Sequence, residues 1–283
     1  MSLRHRLNDA AGRWATHRTN RKVYNSRVLL VADHWDGSVQ QFYHFLLGYL
    51  APVALWVREH PDVAISMRGC GPMDPWLALV GERVDLEVIP PGTALHMVVG
   101  DRMAHKVLPG LDDPSAFDRD SLLRGADAIR ELMDLPPGGS GGPHTIVIDR
   151  ATSEDFYHGP ASETHMSGGE RRSTPNLRDV VDLVHGAEVV DLARIEPKDQ
   201  IRLMGSTTVL VGQHGAGLVH MLWMTPGSLI VEIAPPLPPE VVHLFEQLAR
   251  CLGHRYVRVP QETVHAPVDL EAIARAIRSN AQS

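Results

Sequence analysis

The stretch that decides the fold runs from Thr207 to Pro235 and reads TTVLVGQHGAGLVHMLWMTPGSLIVEIAP. An apolar run ends in a cluster of glycines, a segment of helix length follows as far as Met224, and a second apolar run begins after a Pro-Gly turn. This order is typical of a strand, a glycine loop, a short helix and a second strand, which form one βαβ unit. The unit predicts an α/β protein with a parallel sheet.

The glycine loop has the properties of an anion-binding site. Glycines let the backbone approach a ligand closely, and a helix that begins near Gly217 offers unpaired N–H groups and the positive end of its dipole. We therefore predict that a diphosphate binds here. His214 would donate a further hydrogen bond to it, and Glu232 would accept hydrogen bonds from ribose hydroxyls. Glycine clusters also occur in ordinary turns, and the cluster by itself leaves that alternative open.

The whole stretch resembles the signature of glycosyltransferase family 61, which is close to G-x-H-G-A-G-L followed by a short helix, Pro-Gly and a strand that ends in Glu-Ile. The matching residues here are Gly212, Gln213, His214, Gly215, Ala216, Gly217 and Leu218, then Pro226-Gly227, then Val231-Glu232-Ile233. The resemblance implies an inverting transferase whose donor is a nucleotide-diphosphate sugar such as a UDP-sugar. It also implies the GT-B fold, in which two Rossmann-like α/β domains face each other across a cleft. The donor-binding residues would be Gly212, His214, Gly215, Ala216, Gly217, Leu218 and Glu232.

Length and composition describe an ordinary globular protein. The chain has 283 residues, of which 43% are hydrophobic and 22% charged, which is enough for two small α/β domains. The formal net charge of −7 argues against nucleic acid as a stable partner. Cys70 and Cys251 lack the spacing of a metal site, which favours a reducing compartment over a disulfide framework. Nothing in the composition decides whether the protein forms a homo-oligomer.

The N-terminal segment predicts a cytoplasmic location. No apolar run reaches the ~18 residues that span a bilayer. The stretch from Met1 to Lys22 carries five arginines and no apolar core of a signal peptide. Plant and animal members of the resembled family typically work in the secretory pathway behind an anchor, and we expect this chain to differ from them. Residues 1–26 would form a basic arm, either solvated or in contact with an acidic surface.

A proline- and glycine-rich segment divides the chain. The run LPPGGSGGP ends at Pro143 and holds no regular element, so we place a flexible linker at residues 137–143. Residues 27–136 would form an acceptor-side Rossmann-like domain, and residues 144–283 the nucleotide-sugar-binding domain. In the first domain we predict strands at 27–32, 62–68, 84–89 and around 95–99, helices at 40–60, 74–81 and 118–135, and a charged patch at Asp101, Arg102, His105 and Lys106. In the second we predict strands at 144–149, 187–192, 207–211, 228–233 and 255–259, helices at 176–185, 196–204, 241–252 and 268–279, and a long functional or disordered loop at 151–175.

Two residues of the first domain are candidates for the catalytic base. The polar loop that contains Asp36 follows the first strand, and ligands of open α/β sheets gather at the carboxyl ends of strands. His44 matches a W/F-x-H-F/W segment of the resembled family. We predict His44 as the first candidate and Asp36 as the second. A histidine packed against the other domain, with its ring nitrogens satisfied, is the alternative for His44.

Arginines of the second domain are candidates for a diphosphate clamp. The resembled family has a strand that ends in an arginine, followed by a loop with R-x-x-x-N-like character. Arg150 holds the first position, and Arg171, Arg172 and Asn176 are the candidates for the second. Guanidinium groups bind phosphate oxygens bidentately, so we predict that Arg150 and Arg172 contact the donor. A solvated Arg171-Arg172 pair is the alternative.

Neither acidic pair that we consider as a metal site has the spacing of an Asp-x-Asp motif. Asp33 and Asp36 have the wrong spacing, and Asp112-Asp113 lies in a Pro-flanked loop. We therefore predict metal-independent transfer without a cofactor, to a hydroxyl of a glycan, a protein or a small acceptor. Two other functions stay open, a nucleotide-sugar epimerase of the same fold and a non-catalytic nucleotide-sugar-binding module. An NAD dehydrogenase is disfavoured, because the loop lacks the order G-x-G-x-x-G.

Overall fold

A parallel sheet forms in the first part of the chain. The computed structural model describes residues 27–93, 104–136, 144–150, 154–164 and 166–280. The strands of this sheet are β1 (Val28–Asp33), β2 (Ile65–Arg68), β3 (Leu86–Ile89) and β4 (His105–Pro109). They lie in the order β3-β2-β1-β4, and each neighbouring pair is parallel. The chain thus adds strands on one side of β1 and then returns to its other side, which makes the β1/β4 boundary a topological switch point.

Helices of the first part follow the predicted positions with one irregularity. They are α1 (Phe42–Phe45), a π-helical turn (Leu46–Leu50), α2 (Ala51–Glu59), α3 (Asp74–Gly81) and α4 (Arg119–Leu132). The predicted helix at 40–60 is therefore one helical span interrupted by the π turn. Helix α4 begins where the side chain of Asp118 accepts a hydrogen bond from the backbone N–H of Ser121, as an N-cap does.

Two residues of the predicted charged patch belong to strand β4. His105 and Lys106 belong to this strand, which pairs with β1 from Leu29 opposite His105 to Asp33 opposite Pro109. In this five-residue edge strand Leu108 is buried, whereas most of its neighbours are exposed. An edge strand with one inward side chain carries no apolar run, so its sequence does not indicate a strand. The predicted strand around 95–99 and residues 101 and 102 lie outside the described residues.

A second parallel sheet forms in the later part of the chain. Its strands are β5 (His144–Asp149), β6 (Ala187–Asp191), β7 (Thr207–Gln213), β8 (Leu229–Ala234) and β9 (Arg255–Pro260). They lie in the order β6-β5-β7-β8-β9, and each pair is parallel. The helices are α5 (Gly168–Arg171), α6 (Pro197–Gly205), α7 (Leu244–Leu252) and α8 (Leu270–Asn280), with 3₁₀ helices at Leu177–Asp182 and Ala216–Trp223. The switch point of this sheet lies between β5 and β7.

The predicted fold class is confirmed, with corrections to three helices. Two parallel sheets with helices packed around them form an α/β fold, and the βαβ unit of the glycine stretch is present. Its helix, Ala216–Trp223, is 3₁₀ rather than α, as is the helix predicted at 176–185. The helix predicted from 241 begins at Leu244. The linker 137–143 and the basic arm lie outside the described residues, and the domain boundaries stay a prediction.

The two sheets share one hydrophobic core. The same cluster of buried side chains includes Leu30 and Phe45 from the first part and Ile148, Leu210 and Phe245 from the second. The 3₁₀ helix Ala216–Trp223 contacts α1, where the ring of His220 stacks on Phe42 at 4.8 Å between centroids. This contact places the glycine loop beside the first sheet. Within the described ranges no helix is both long and apolar enough to cross a membrane.

Candidate active site

Arg150 and Arg172 meet at the switch point of the second sheet. Arg150 directly follows β5, and its Nη2 donates to the carbonyl oxygen of His214 at 2.9 Å, just after the end of β7. Arg172 donates to the same oxygen from Nη1 at 3.1 Å, and Arg150 also donates to the carbonyl of Gly168 at 3.2 Å. Both predicted arginines of the clamp are thus brought together. The carboxyl ends of β5 and β7 are where an open α/β sheet binds its ligand.

The arginine pair forms no ion pair with a carboxylate of the described residues. Burial lowers the pKa of Arg150 to about 9, with further lowering from Arg172 and Arg171. Burial likewise lowers the pKa of Arg172 to about 10, and Arg171 adds to this effect, whereas the carboxylate of Glu232 opposes it. No carboxylate in the described ranges forms an ion pair with Arg150 or Arg172. Two half-buried or buried guanidinium groups without a carboxylate partner favour binding of an anion.

The glycine loop presents backbone donors beside the arginines. Gly215 has φ of 158°, and a β-carbon there would overlap the guanidinium of Arg150. Leu218 N–H bonds to the Gly215 carbonyl, whereas the N–H groups of Gly215, Ala216 and Gly217 have no acceptor among the described residues. Ala216 and Gly217 are half-exposed. Unpaired N–H groups at a helix start are suited to bind an anion, and for this loop such binding stays a prediction.

His214 and Glu232 form a buried pair. The Nδ1 of His214 lies 2.5 Å from Oε1 of Glu232, and the hydroxyl of Tyr256 donates to Oε2 at 2.5 Å. Glu232 is 0% exposed, and its two oxygens accept hydrogen bonds from His214 and Tyr256. The carboxylate is thus engaged inside the protein, and its contact with a ribose stays a prediction. Burial lowers the pKa of His214 although Glu232 opposes this effect, so the ring is neutral at pH 7.

The other candidate residues of the second sheet have packing or surface roles. Leu218 is 0% exposed, and a β-carbon at Gly212 would come within 3.1 Å of its side chain. Asn176 donates to the Val268 carbonyl and accepts from its N–H, both at 2.9 Å, so it fixes the chain before α8. Arg171 is exposed. The predicted phosphate contacts of this group therefore depend on backbone geometry more than on these side chains.

His44 and Asp112 form a second histidine–carboxylate pair at the switch point of the first sheet. The Nδ1 of His44 lies 2.8 Å from Oδ2 of Asp112, and both residues are buried. Asp112 follows β4, and its Oδ1 accepts from the N–H of Trp35 at 3.0 Å, in the loop after β1. Asp36 lies in that loop, is exposed and has no hydrogen-bond partner in the described ranges. His44 is thus buried and hydrogen-bonded to Asp112, whereas Asp36 is an exposed residue in the neighbouring loop.

Sequence patterns missed Asp112 and its neighbour His34. His34, His44 and Asp112 offer ligand atoms that all lie within 4.8 Å of one another, the one such group found among the described residues. These residues come from the loop after β1, helix α1 and the loop after β4. Because they are distant in sequence, no spacing motif indicates that they form a group. The edge strand β4 was the missing signal, because its carboxyl end brings Asp112 to β1.

Aromatic rings connect the two histidine–carboxylate pairs. The ring of His214 packs edge-on against Phe245 at 5.0 Å, and Phe245 packs edge-on against Tyr43 at 6.0 Å. Tyr43 in turn lies 5.0 Å from the ring of His44. The switch points of both sheets therefore lie on opposite sides of one aromatic cluster. This arrangement brings the glycine loop and the buried His44 into one candidate active site.

Comparison with known proteins assigns the family. The family model described as Glycosyltransferase 61 matches residues 42–231, which is more than half of the chain. The chain therefore belongs to glycosyltransferase family 61. The matched range contains the His44–Asp112 pair, both arginines and the glycine loop with His214, and it ends one residue before Glu232.

Two relatives and one solved structure are similar to parts or all of the chain. A beta-1,2-xylosyltransferase of Arabidopsis thaliana is 42% identical over 53 residues, which is 19% of this chain and 9% of that protein. A beta-1,2-xylosyltransferase of Oryza sativa subsp. japonica is 27% identical over 122 residues, 40% of this chain and 21% of that protein. The matched segments thus span less than a quarter of either relative. The structure of the E. coli heptosyltransferase WaaC with ADP aligns over 90% of this chain and 98% of its own chain, at 13% identity and a TM-score of 0.35.

Proposed function

We propose that this protein is an inverting glycosyltransferase that moves a sugar from a nucleotide-diphosphate sugar to a hydroxyl group. The observation that carries this proposal is the group formed by Arg150, Arg172 and the unpaired N–H groups of the glycine loop. It lies at the β5/β7 switch point, where such sheets bind their ligands. Membership of glycosyltransferase family 61 supports the same function.

The donor side of the site would neutralise the departing diphosphate. In the transfer step the bond between the anomeric carbon and the diphosphate oxygen breaks, and negative charge grows on that oxygen. Arg150 and Arg172 would bind the phosphate oxygens together with the N–H groups of Ala216 and Gly217. Fixed donors that are already in place stabilise such charge without reorganisation. No step in this scheme requires a metal ion.

The acceptor side would supply the base. Nε2 of His44 would take the proton from the acceptor hydroxyl while its oxygen forms a bond to the anomeric carbon. Attack comes from the face opposite the leaving diphosphate, so the configuration at that carbon inverts. General-base catalysis of this kind contributes ~10²- to 10⁴-fold in rate. The names of the two plant relatives suggest a pentose donor, and UDP-xylose is the first donor to test.

The proposal is tested by product formation and by donor binding. Mass spectrometry and NMR with UDP-xylose, other UDP-sugars and a panel of glycan and alcohol acceptors should detect a new glycosidic bond of inverted configuration. Arg150→Gln should raise the Kd for UDP about 10- to 100-fold, because a hydrogen bond to a charged group contributes about 1.5–3 kcal/mol.

Arg202→Gln is the matched control for this measurement. Arg202 lies exposed on α6, where it pairs with Asp199 of the same helix and contacts none of the proposed donor-binding residues through a hydrogen bond or ion pair of the described structure. The Arg202→Gln variant should bind UDP with the same Kd as the wild type. Equal UDP affinity for Arg150→Gln and wild type, or conversion of the donor in the absence of any acceptor, would contradict the proposed function.

A further inference from the structure

Asp112 is a buried carboxylate that no sequence pattern identified, and it lies against the proposed base. We propose that Asp112 is the positioning residue that holds His44 in the tautomer required for proton transfer. The effect on catalysis that we infer rests on the proposed function. The tautomer itself is a property of the protein and is measurable without any substrate.

The hydrogen bond between the two residues decides where the imidazole carries its proton. A carboxylate only accepts hydrogen bonds, and a neutral imidazole has one N–H. Because Nδ1 of His44 lies 2.8 Å from Oδ2 of Asp112, the proton is on Nδ1. Nε2 then has a free lone pair and is able to accept a proton from a hydroxyl. Without Asp112, nothing in the described structure would select this tautomer.

Asp112 is itself fixed from two further directions. Its Oδ1 accepts from the N–H of Trp35 at 3.0 Å, and its backbone carbonyl accepts from the hydroxyl of Tyr43 at 2.7 Å. The residue is 0% exposed, so solvent does not compete for these bonds. The carboxylate therefore ties the loop after β1, helix α1 and the loop after β4 around His44. A group held this firmly is suited to orienting a ring.

Glycines surround the pair where a side chain would disturb it. A β-carbon at Gly48 would lie 2.8 Å from Oδ2 of Asp112, and one at Gly110 would lie 2.5 Å from Oδ1. Gly37 has φ of +88°, and a β-carbon there would overlap Nε2 of His44. The backbone of Gly37, in the loop after β1, thus packs against the Nε2 edge of the ring, where only a residue without a β-carbon fits.

A metal site is the rival use of the same residues. His34 and His44 with Asp112 offer two imidazoles and one carboxylate, a ligand set that suits a divalent transition metal. The geometry favours the hydrogen-bonded pair, because both oxygens of Asp112 already accept hydrogen bonds from His44 and Trp35. In a metal site at least one of these oxygens would bind the ion instead. The two uses differ in their response to metal and to chelator.

The test compares Asp112→Asn with the neighbouring change Asp113→Asn. Asp113 caps the turn Pro114–Ala116 and accepts from the Ser115 N–H at 2.8 Å, so its replacement leaves the His44 pair intact. Long-range ¹H–¹⁵N NMR, with the His44 signals assigned by a His44→Gln variant, reads the tautomer directly. We expect Nδ1–H in the wild type and in Asp113→Asn, and a mixture of tautomers in Asp112→Asn. The kcat of Asp112→Asn should fall ~10²- to 10⁴-fold with an unchanged KM for the donor.

The measurements distinguish a positioning role of Asp112 from a metal site and from failure of the proposed function. An unchanged tautomer or an unchanged kcat in Asp112→Asn overturns the proposal, provided that thermal unfolding and UDP binding show an intact fold. Stoichiometric binding of Zn²⁺ or Mn²⁺ that shifts the His34 and His44 signals, with activity lost in EDTA, assigns the site to a metal instead. If the wild type transfers no sugar from any donor, the proposed function fails. The NMR result still decides whether Asp112 positions His44.

Discussion

At the scale of single residues, we predict that the protonation of His214 links binding of the proposed donor to pH. Burial lowers the pKa of this ring below its ordinary value of about 6.5, and Nδ1 donates to Glu232. In the free protein at pH 7 its Nε2 therefore has no proton to donate to a phosphate. A bound diphosphate favours the protonated ring and raises its pKa. Binding should then take up protons, and affinity should fall as pH rises from the pKa of the free protein through that of the complex.

Calorimetry tests this link. We expect titration with a UDP-sugar at pH 7, in buffers of different ionisation enthalpy, to show fractional uptake of a proton by the wild type. A diphosphate diester does not titrate near this pH, so the proton goes to the protein. His214→Gln should show smaller uptake and a flatter dependence of Kd on pH. The same proton uptake in both proteins would mean that His214 does not contact the phosphates.

At the scale of elements, the π-helical turn Leu46–Leu50 shapes the surroundings of His44 and Asp112. It directly follows α1, and the carbonyl of Leu47 accepts a hydrogen bond from the N–H of Leu111 at 2.9 Å, next to Asp112. Gly48 faces the histidine–carboxylate pair, and a β-carbon does not fit at this position. It would lie 2.7 Å from Cβ of His34 and 2.8 Å from Oδ2 of Asp112. Such turns inside helices are frequent at functional sites.

Gly48→Ala should separate catalysis from donor binding. The added methyl group would displace Asp112 and His34, so we expect kcat to fall roughly tenfold or more while the Kd for UDP stays near that of the wild type. Gly81→Ala is the control, because its β-carbon would meet Leu86 at an ordinary 3.7 Å. Steady-state kinetics with calorimetric binding would check the result. An equal loss of UDP affinity would show that the change spreads to the second sheet.

At the scale of the whole molecule, the segment 154–164 ties the later part of the chain to the first sheet. The hydroxyl of Tyr157 donates to the carbonyl of Gln40 at 2.9 Å, and the side-chain amide of Gln40 donates to Ala161 at 2.9 Å. Glu163 accepts from Ser38 at 2.5 Å and from Arg68 at 2.5 Å. With the shared hydrophobic core, these bonds fix the loop after β1 next to the second sheet.

This coupling predicts that both sheets unfold together. Differential scanning calorimetry should give one transition whose calorimetric and van't Hoff enthalpies agree. Tyr157→Phe removes one hydrogen bond between the parts and should lower the free energy of unfolding by about 1 kcal/mol within that single transition. Two separate transitions, or a Tyr157→Phe change confined to one of them, would contradict the prediction.

The sequence by itself determined the family and the fold class, because these depend on local order along the chain, whereas the donor-binding roles of individual residues stay predictions. Strand, glycine loop, helix and strand follow one another between Thr207 and Pro235, and Arg150 follows a strand of strong apolar character. Buried strands carry their signal in their own residues. Predictions on location, donor identity and oligomeric state have no structural counterpart and stay predictions.

Only the tertiary structure decided which groups surround His44 and what Glu232 does. Asp112 reaches His44 because an edge strand with a single inward side chain pairs with β1, and that pairing is invisible in a short, mostly exposed run. Glu232 turns to His214 because β7 and β8 are neighbours in the sheet, which puts Gly212 opposite Glu232. Contacts between residues distant in sequence depend on sheet order and register, and one chain's local pattern does not encode these in a readable form.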